Sequence, residues 1–99
     1  MELNIQSIHF DADQKLLDII QTKCDKLDQY FDGIVSGEVF LRVEKSDKRE
    51  NKLVEIKLIV PGNDLFASKR AASFEESVDE VVDALRRQVK KLKERLQER

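Results

Sequence analysis

Phe74, Val78, Val82, Leu85, Val89, Leu92 and Leu96 recur at spacings of 4, 4, 3, 4, 3 and 4. That rhythm returns to one side of an α-helix at every turn, with no break until the end of the chain. At 1.5 Å per residue, about 25 residues make one rod of roughly 37 Å. Such a rod takes most of its stability from packing its apolar stripe, so the rest of the chain has to supply a flat apolar partner. Ser73-Phe74-Glu75-Glu76 marks the start as a capping box: Ser73 caps the third helical N–H and Glu76 reaches back to the N–H of Ser73.

The partner is readable as four strands. Leu3 and Ile5 alternate with Glu2, Asn4 and Gln6 over residues 2 to 9, and Val39, Leu41 and Val43 alternate with Phe40, Arg42 and Glu44. Val54, Ile56, Leu58 and Val60 share one side of a third strand, and Leu65 and Ala67 start a shorter fourth. The polar run SDKREN at 46 to 51 reads as a hairpin connection. Pro61-Gly62-Asn63-Asp64 reads as a second turn, with proline suited to its first central position and glycine to the next. Between the first two strands, Asp13 is placed to cap a helix from about Gln14 to Phe31. Its stripe is Leu16, Ile20, Leu27 and Phe31, widened by Leu17 and Cys24.

The order is therefore β-α-β-β-β-α, an α+β fold in one domain over residues 1–99. The first two strands, joined through a helix, are expected to be parallel, and the hairpins add antiparallel strands to a four-stranded mixed sheet. Each strand has only one consistently apolar side, so both helices are expected on the same face.

Catalytic chemistry finds no foothold in this sequence. The three glycines stand at 33, 37 and 62 and form no phosphate loop. His9 has no nucleophile motif beside it and reads as a strand-end surface residue, and Cys24 sits on the apolar face as a small hydrophobe. No pair of carboxylates lies in an apolar setting that would raise a pKa. One cysteine and one histidine make neither an internal disulfide nor a zinc site. The expectations are no enzyme, no cofactor, no metal and no small-molecule substrate. The amino-terminal run MELNIQSIHF is unlike a secretion signal, and no stretch approaches the ~20 apolar residues that cross a bilayer, so a cytoplasmic protein without a membrane partner is expected.

Charge is the informative feature. The segment LRRQVKKLKERLQER, 85 to 99, holds seven Lys or Arg and two Glu, a balance of +5 in a chain whose total is −2, which leaves −7 for residues 1–84. Complementing a helix dipole explains only the last turn, whereas the basic run begins at Arg86. On the helical wheel Arg86, Lys90 and Lys93 border one side of the apolar stripe, and Arg87, Lys91 and Arg95 border the other. On the first helix Lys15, Lys23 and Lys26 fall along one flank, while Asp18, Asp25 and Asp28 gather away from it. A long helix on short strands is expected to overhang the sheet over about 85–99 and carry this charge into solvent.

Three readings remain open at this point: a face that binds a polyanion, a solvated face, and a helix whose Leu85, Val89, Leu92 and Leu96 ridge docks on another protein. A nucleic-acid partner would be held through phosphate, because two stripes of Lys and Arg release counterions without reading bases. With five Phe, one Tyr and no Trp, mostly at core-like positions, the chain suits folded RNA better than an unpaired strand.

Three stretches carry a family likeness: LNIQSIHFDADQKLLDIIQTKCDKLDQYF, VEIKLIVPGNDLFASKRA and FEESVDEVVDALRRQVKKLKER. The last contains the pair Val78-Asp79 and an L-x-R-Q-x-x-K pattern from Leu85 to Lys91. Together they resemble the short ribosome hibernation promoting factors, the ribosome-associated inhibitor and sigma-54 modulation proteins. Where family helices often begin with an aspartate and a tyrosine, this chain has Ser73 and Glu75.

The resemblance implies a βαβββα domain similar to a double-stranded-RNA-binding fold. It also implies a site on the small ribosomal subunit, in the channel of messenger RNA and the A-site and P-site transfer RNAs, held by contacts to ribosomal RNA. Carried over by position, the RNA-binding residues are Lys23, Lys26, Arg86, Arg87, Lys90, Lys91 and Lys93. Compared with long family members, no C-terminal dimerisation domain is expected, so any pairing of ribosomes is expected to need a second factor or different contacts.

Overall fold

The computed structural model describes residues 1–45 and 49–97; part of the expected 46–51 connection thus lies outside the described residues. The elements are β1 (Glu2–Ile8), α1 (Gln14–Asp25), a 3-10 turn (Lys26–Gln29), β2 (Ser36–Val43), β3 (Lys52–Val60), β4 (Asn63–Ala71) and α2 (Phe74–Gln97). The sheet order is β1-β2-β3-β4. β1 runs parallel to β2, with Glu2 opposite Ser36 and Ile8 opposite Arg42, and the two later pairings are antiparallel. The expected four-stranded mixed sheet with two helices is the observed one.

Local chemistry sets the ends of the elements. The Asp13 carboxylate accepts from the Leu16 N–H at 2.8 Å and opens α1. The Ser73 hydroxyl accepts from the Glu76 N–H at 3.2 Å and opens α2, although no return bond from the Glu76 carboxylate forms among the described residues. Val60 pairs with Asn63, so Pro61 and Gly62 alone make the turn, and Gly62 takes a φ of 79° that carries no steric penalty without a Cβ.

Two boundaries differ from the sequence reading. α1 ends as an α-helix at Asp25 and tightens into the 3-10 turn before Phe31. Periodicity does not register this, because a step of three residues carries Cys24 to Leu27 on the same side in either helix, and both are buried. β4 is nine residues long, the equal of β3, rather than a shorter strand. Its second half, Ser68, Lys69 and Arg70, is exposed. A backbone ladder needs no apolar side chains, and charged residues suit an edge strand.

Both helices cover one sheet face. Val39, Leu41, Ile56, Leu58 and Leu65 form a single core with Ile20, Cys24 and Leu27 of α1 and Val78, Val81, Leu85 and Val89 of α2. Val81 replaces the expected Val82 in the buried row, and Val82 is only half-buried. The stripe is turned towards β3, where the fully buried Ser77 hydroxyl donates to the Lys52 carbonyl at 2.5 Å. A wheel weighted by apolar residue types gives no credit to a serine satisfied by a strand carbonyl.

The overhang is shorter than expected. Strands of eight and nine residues keep Leu85 and Val89 fully covered. Leu92 is half-buried and Leu96 is 51% exposed, so α2 leaves the sheet near Leu92 rather than Leu85.

Candidate nucleic-acid interface

Charge on α1 is sorted by the two neighbours of the helix. On one flank Asp25 and Asp28 each accept from the Met1 ammonium at 2.9 Å, and the Gln21 amide donates to the Met1 carbonyl, which ties this side to β1. On the other flank Lys23 Nζ meets Asp79 Oδ1 of α2 at 2.5 Å. Lys26 follows on the exposed start of the 3-10 turn.

α2 answers from the facing side. Asp83 accepts from two arginines at once, Arg86 Nη2 at 2.6 Å and Arg87 Nη2 at 3.2 Å. The hydrogen bond from Arg86, with the charge of Arg87 beside it, holds the Asp83 carboxyl below the usual carboxylate range. The same contact raises the Arg86 guanidinium. One turn on, Lys90 Nζ lies over the Tyr30 ring at 5.3 Å from its centre. Lys93 lines a shallow hollow with Asp28, Tyr30 and Asp32.

These contacts gather four of the seven expected cations, Lys23, Arg86, Lys90 and Lys93, along the seam between the helices. Lys26 lines a hollow on the exposed flank of the first helix with Lys15, Ile19 and Lys23. Arg87 stands on the outer crest of α2, joined to the seam through Asp83. Lys91 is turned furthest away: Gln88, one turn before it, donates to the Phe66 carbonyl of β4 at 2.8 Å, which places that flank over the sheet edge. The seam thus joins one flank of the first helix to one border of α2, and the other border, with Lys91, faces the sheet edge.

Availability divides the set again. Lys26, Lys90, Lys91 and Lys93 have no ion-pair partner among the described residues, whereas Lys23, Arg86 and Arg87 are engaged by Asp79 and Asp83. The open face of the sheet differs: there Arg42 pairs with Glu55, Lys57 with Asp64 and Arg70 with Glu44. Among the described residues Lys69 on β4 is likewise without an ion-pair partner, so the contrast holds for the cations of the open sheet face that pair.

Tyr30, Asp79 and Asp83 were missed by sequence reasoning. The i,i+3 and i,i+4 spacing from Asp83 to Arg86 and Arg87 was a legible signal. Tyr30 and Asp79 meet their partners only across the helix pair, which no local pattern encodes.

Cys24 is fully buried, and burial pushes its thiol up to about 12, so it stands apart from the interface as an inert core residue. His9 is exposed at the end of β1 with a left-handed φ of 65°. Among the described residues no group of three or more His, Cys, Asp or Glu is placed to hold a metal ion. No described helix is long and apolar enough to cross a membrane.

Comparison with known proteins adds a second line. Residues 3–97 match the family described as "Sigma 54 modulation protein / S30EA ribosomal protein". A ribosome hibernation promoting factor of Pseudomonas putida is 32% identical over 97 residues, which cover 98% of this chain and 91% of the relative. That of Escherichia coli is 30% identical over 98 residues, 99% of each. Among solved structures, the N-terminal domain of Thermus thermophilus Protein Y superposes with a TM-score of 0.81 at 24% identity, over 93% of this chain and 99% of that one. A ribosomal subunit interface protein from Coxiella burnetii gives 0.84 at 19% identity, over 94% and 98%.

Proposed function

The chain belongs to the Sigma 54 modulation protein / S30EA ribosomal protein family, and from that premise we propose that it is a ribosome hibernation factor of the cytoplasm that acts by occupancy rather than catalysis. The α1–α2 face lies against ribosomal RNA of the small subunit, in the channel of messenger and transfer RNA, and excludes ligands from the A and P sites. Lys23, Lys26, Arg86, Arg87, Lys90, Lys91 and Lys93 meet phosphate.

One observation carries this reading: Lys23 of α1 reaches Asp79 of α2 at 2.5 Å, so a cationic seam runs between the helices, while Arg42, Lys57 and Arg70 on the open sheet face are paired with carboxylates. An acidic chain with one free cationic face docks on polyanions in one orientation. The rival reading, in which the leucine ridge docks on a partner helix, loses its surface because Leu85 and Val89 are already covered by the protein's own sheet.

Co-sedimentation with purified small subunits over a salt series tests the proposal. With seven phosphate contacts at a log–log slope of about −0.7 to −0.9 each, a fourfold rise in salt weakens binding by about three to four orders of magnitude. The double change Lys26→Glu, Lys90→Glu abolishes binding at moderate salt and leaves the fold intact. Binding that ignores both salt and the double change sinks the reading.

A further inference from the structure

Three of the seven cations on the proposed RNA face are not free, and two carboxylates hold all three. Asp83 takes Arg86 and Arg87 through its two oxygens, and Asp79, one turn earlier on the same flank of α2, takes Lys23. All of these side chains remain partly exposed, from 31% for Lys23 to 65% for Arg87. We propose that Asp79 and Asp83 are built-in competitors of phosphate that set the selectivity of the α1–α2 face for folded ribosomal RNA over generic duplex, an inference that rests on the RNA-binding reading above.

The physical basis is an exchange. Exposed ion pairs are weak enough for an incoming anion to displace. Swapping one carboxylate for one phosphate gains little, however, because both present an anionic oxygen to the same donors. A generic duplex offers its phosphates along two regular backbone lines and gains freely only from the uncompensated Lys26, Lys90, Lys91 and Lys93. RNA strands that converge on the seam offer phosphate to Lys23, Arg86 and Arg87 together. They repay the release of both carboxylates in one event and recruit the full set.

Helix stabilisation does not account for the arrangement by itself. The Asp83 pairs are internal to α2 at i,i+3 and i,i+4 spacing, but the Asp79 pair runs between helices and does nothing for the backbone of either. What the three contacts share is that each occupies a cation of the proposed interface. The lowered Asp83 carboxyl is consistent with a group that stays ionised throughout the working range.

Affinities of wild type, Asp83→Asn, Asp79→Asn and Asp83→Glu for small subunits, and for an RNA duplex of unrelated sequence in the same buffer, test the inference. Asp83→Asn is expected to tighten duplex binding about fivefold, the size of an exposed ion pair, and subunit binding by less than half of that factor. Its salt slope on the duplex steepens by about 1 to 2 as Arg86 and Arg87 join the contact. Asp79→Asn shifts both readouts the same way to a smaller extent, through Lys23 alone, and Asp83→Glu restores wild-type selectivity. Melting curves identify any variant that has lost its fold, and the exposed Asp79 then carries the test.

Duplex binding that is unchanged or weakened in both asparagine variants overturns the inference, as does equal tightening on duplex and subunit. A wild type that ignores subunits sinks the ribosomal reading, whereas the duplex measurements still report on the two carboxylates.

Discussion

Lys90 Nζ stands 5.3 Å from the centre of the Tyr30 ring, which joins the second half of α2 to the short turn that closes α1. The pair holds one of the free cations of the interface at a defined place on the seam. A cation over an aromatic face at a partly exposed site contributes about 0.5 to 1 kcal/mol. Tyr30→Leu, which keeps most of the apolar bulk, is expected to lower stability by that amount in urea unfolding. A double-mutant cycle with Lys90→Met assigns the loss to the pair: a coupling near zero rejects it.

Leu85 and Leu96 lie on the same stripe of α2 and differ in what covers them. Leu85 is fully buried against the sheet, and Leu96, beyond its end, is 51% exposed. Leu85→Ala is expected to cost about 2 to 5 kcal/mol. Leu96→Ala is expected to change stability by less than about 0.5 kcal/mol. Equal losses at the two positions would show that the end of α2 packs on something.

The Cys24 thiol, pushed up to about 12 by burial, has essentially no thiolate at pH 8. Iodoacetamide is expected to leave it unmodified in the native protein and to alkylate it promptly in denaturant. Rapid labelling of the native state at pH 8 would contradict the packing of α1.

Glu44 and Arg70 meet at 2.9 Å across the open face of the sheet, and the guanidinium holds the Glu44 carboxyl below its ordinary 4.5. A carboxylate whose folded pKa is lowered contributes stability that is fully present above the ordinary value and is lost as the pH falls through the folded one. The carboxyl carbon of Glu44, followed by NMR, is expected to titrate below 4.5 in wild type and to return towards 4.5 in Arg70→Gln. A midpoint that does not move shows that the contact is absent in solution.

Legibility in this protein followed the range of each interaction. The alternation of Val54, Ile56, Leu58 and Val60 and the Pro61-Gly62 turn gave β3 and its hairpin their places, because both signals are properties of a few consecutive residues. The sorting of Lys23 from Asp25 and Asp28 on α1 was readable for the same reason: helical geometry places them on different flanks before any neighbour arrives. Val82 in place of Val81 was the characteristic error. The two lie 100° apart, and the choice between them depends on how α2 is rolled on the sheet.

The order of amino acids by itself determined the order of helices and strands, which side of each strand is apolar, and that positive charge lies along one flank of the first helix and gathers at the end of α2. These follow from backbone geometry acting over one or two turns. Only the tertiary structure decided that Lys23 is engaged and where Lys90 is held, because Asp79 finds Lys23, and Tyr30 finds Lys90, across a gap between helices that exists once both rest on the same sheet. An ion pair depends on distance in space, and residues 56 positions apart in the chain come within 2.5 Å only through the fold.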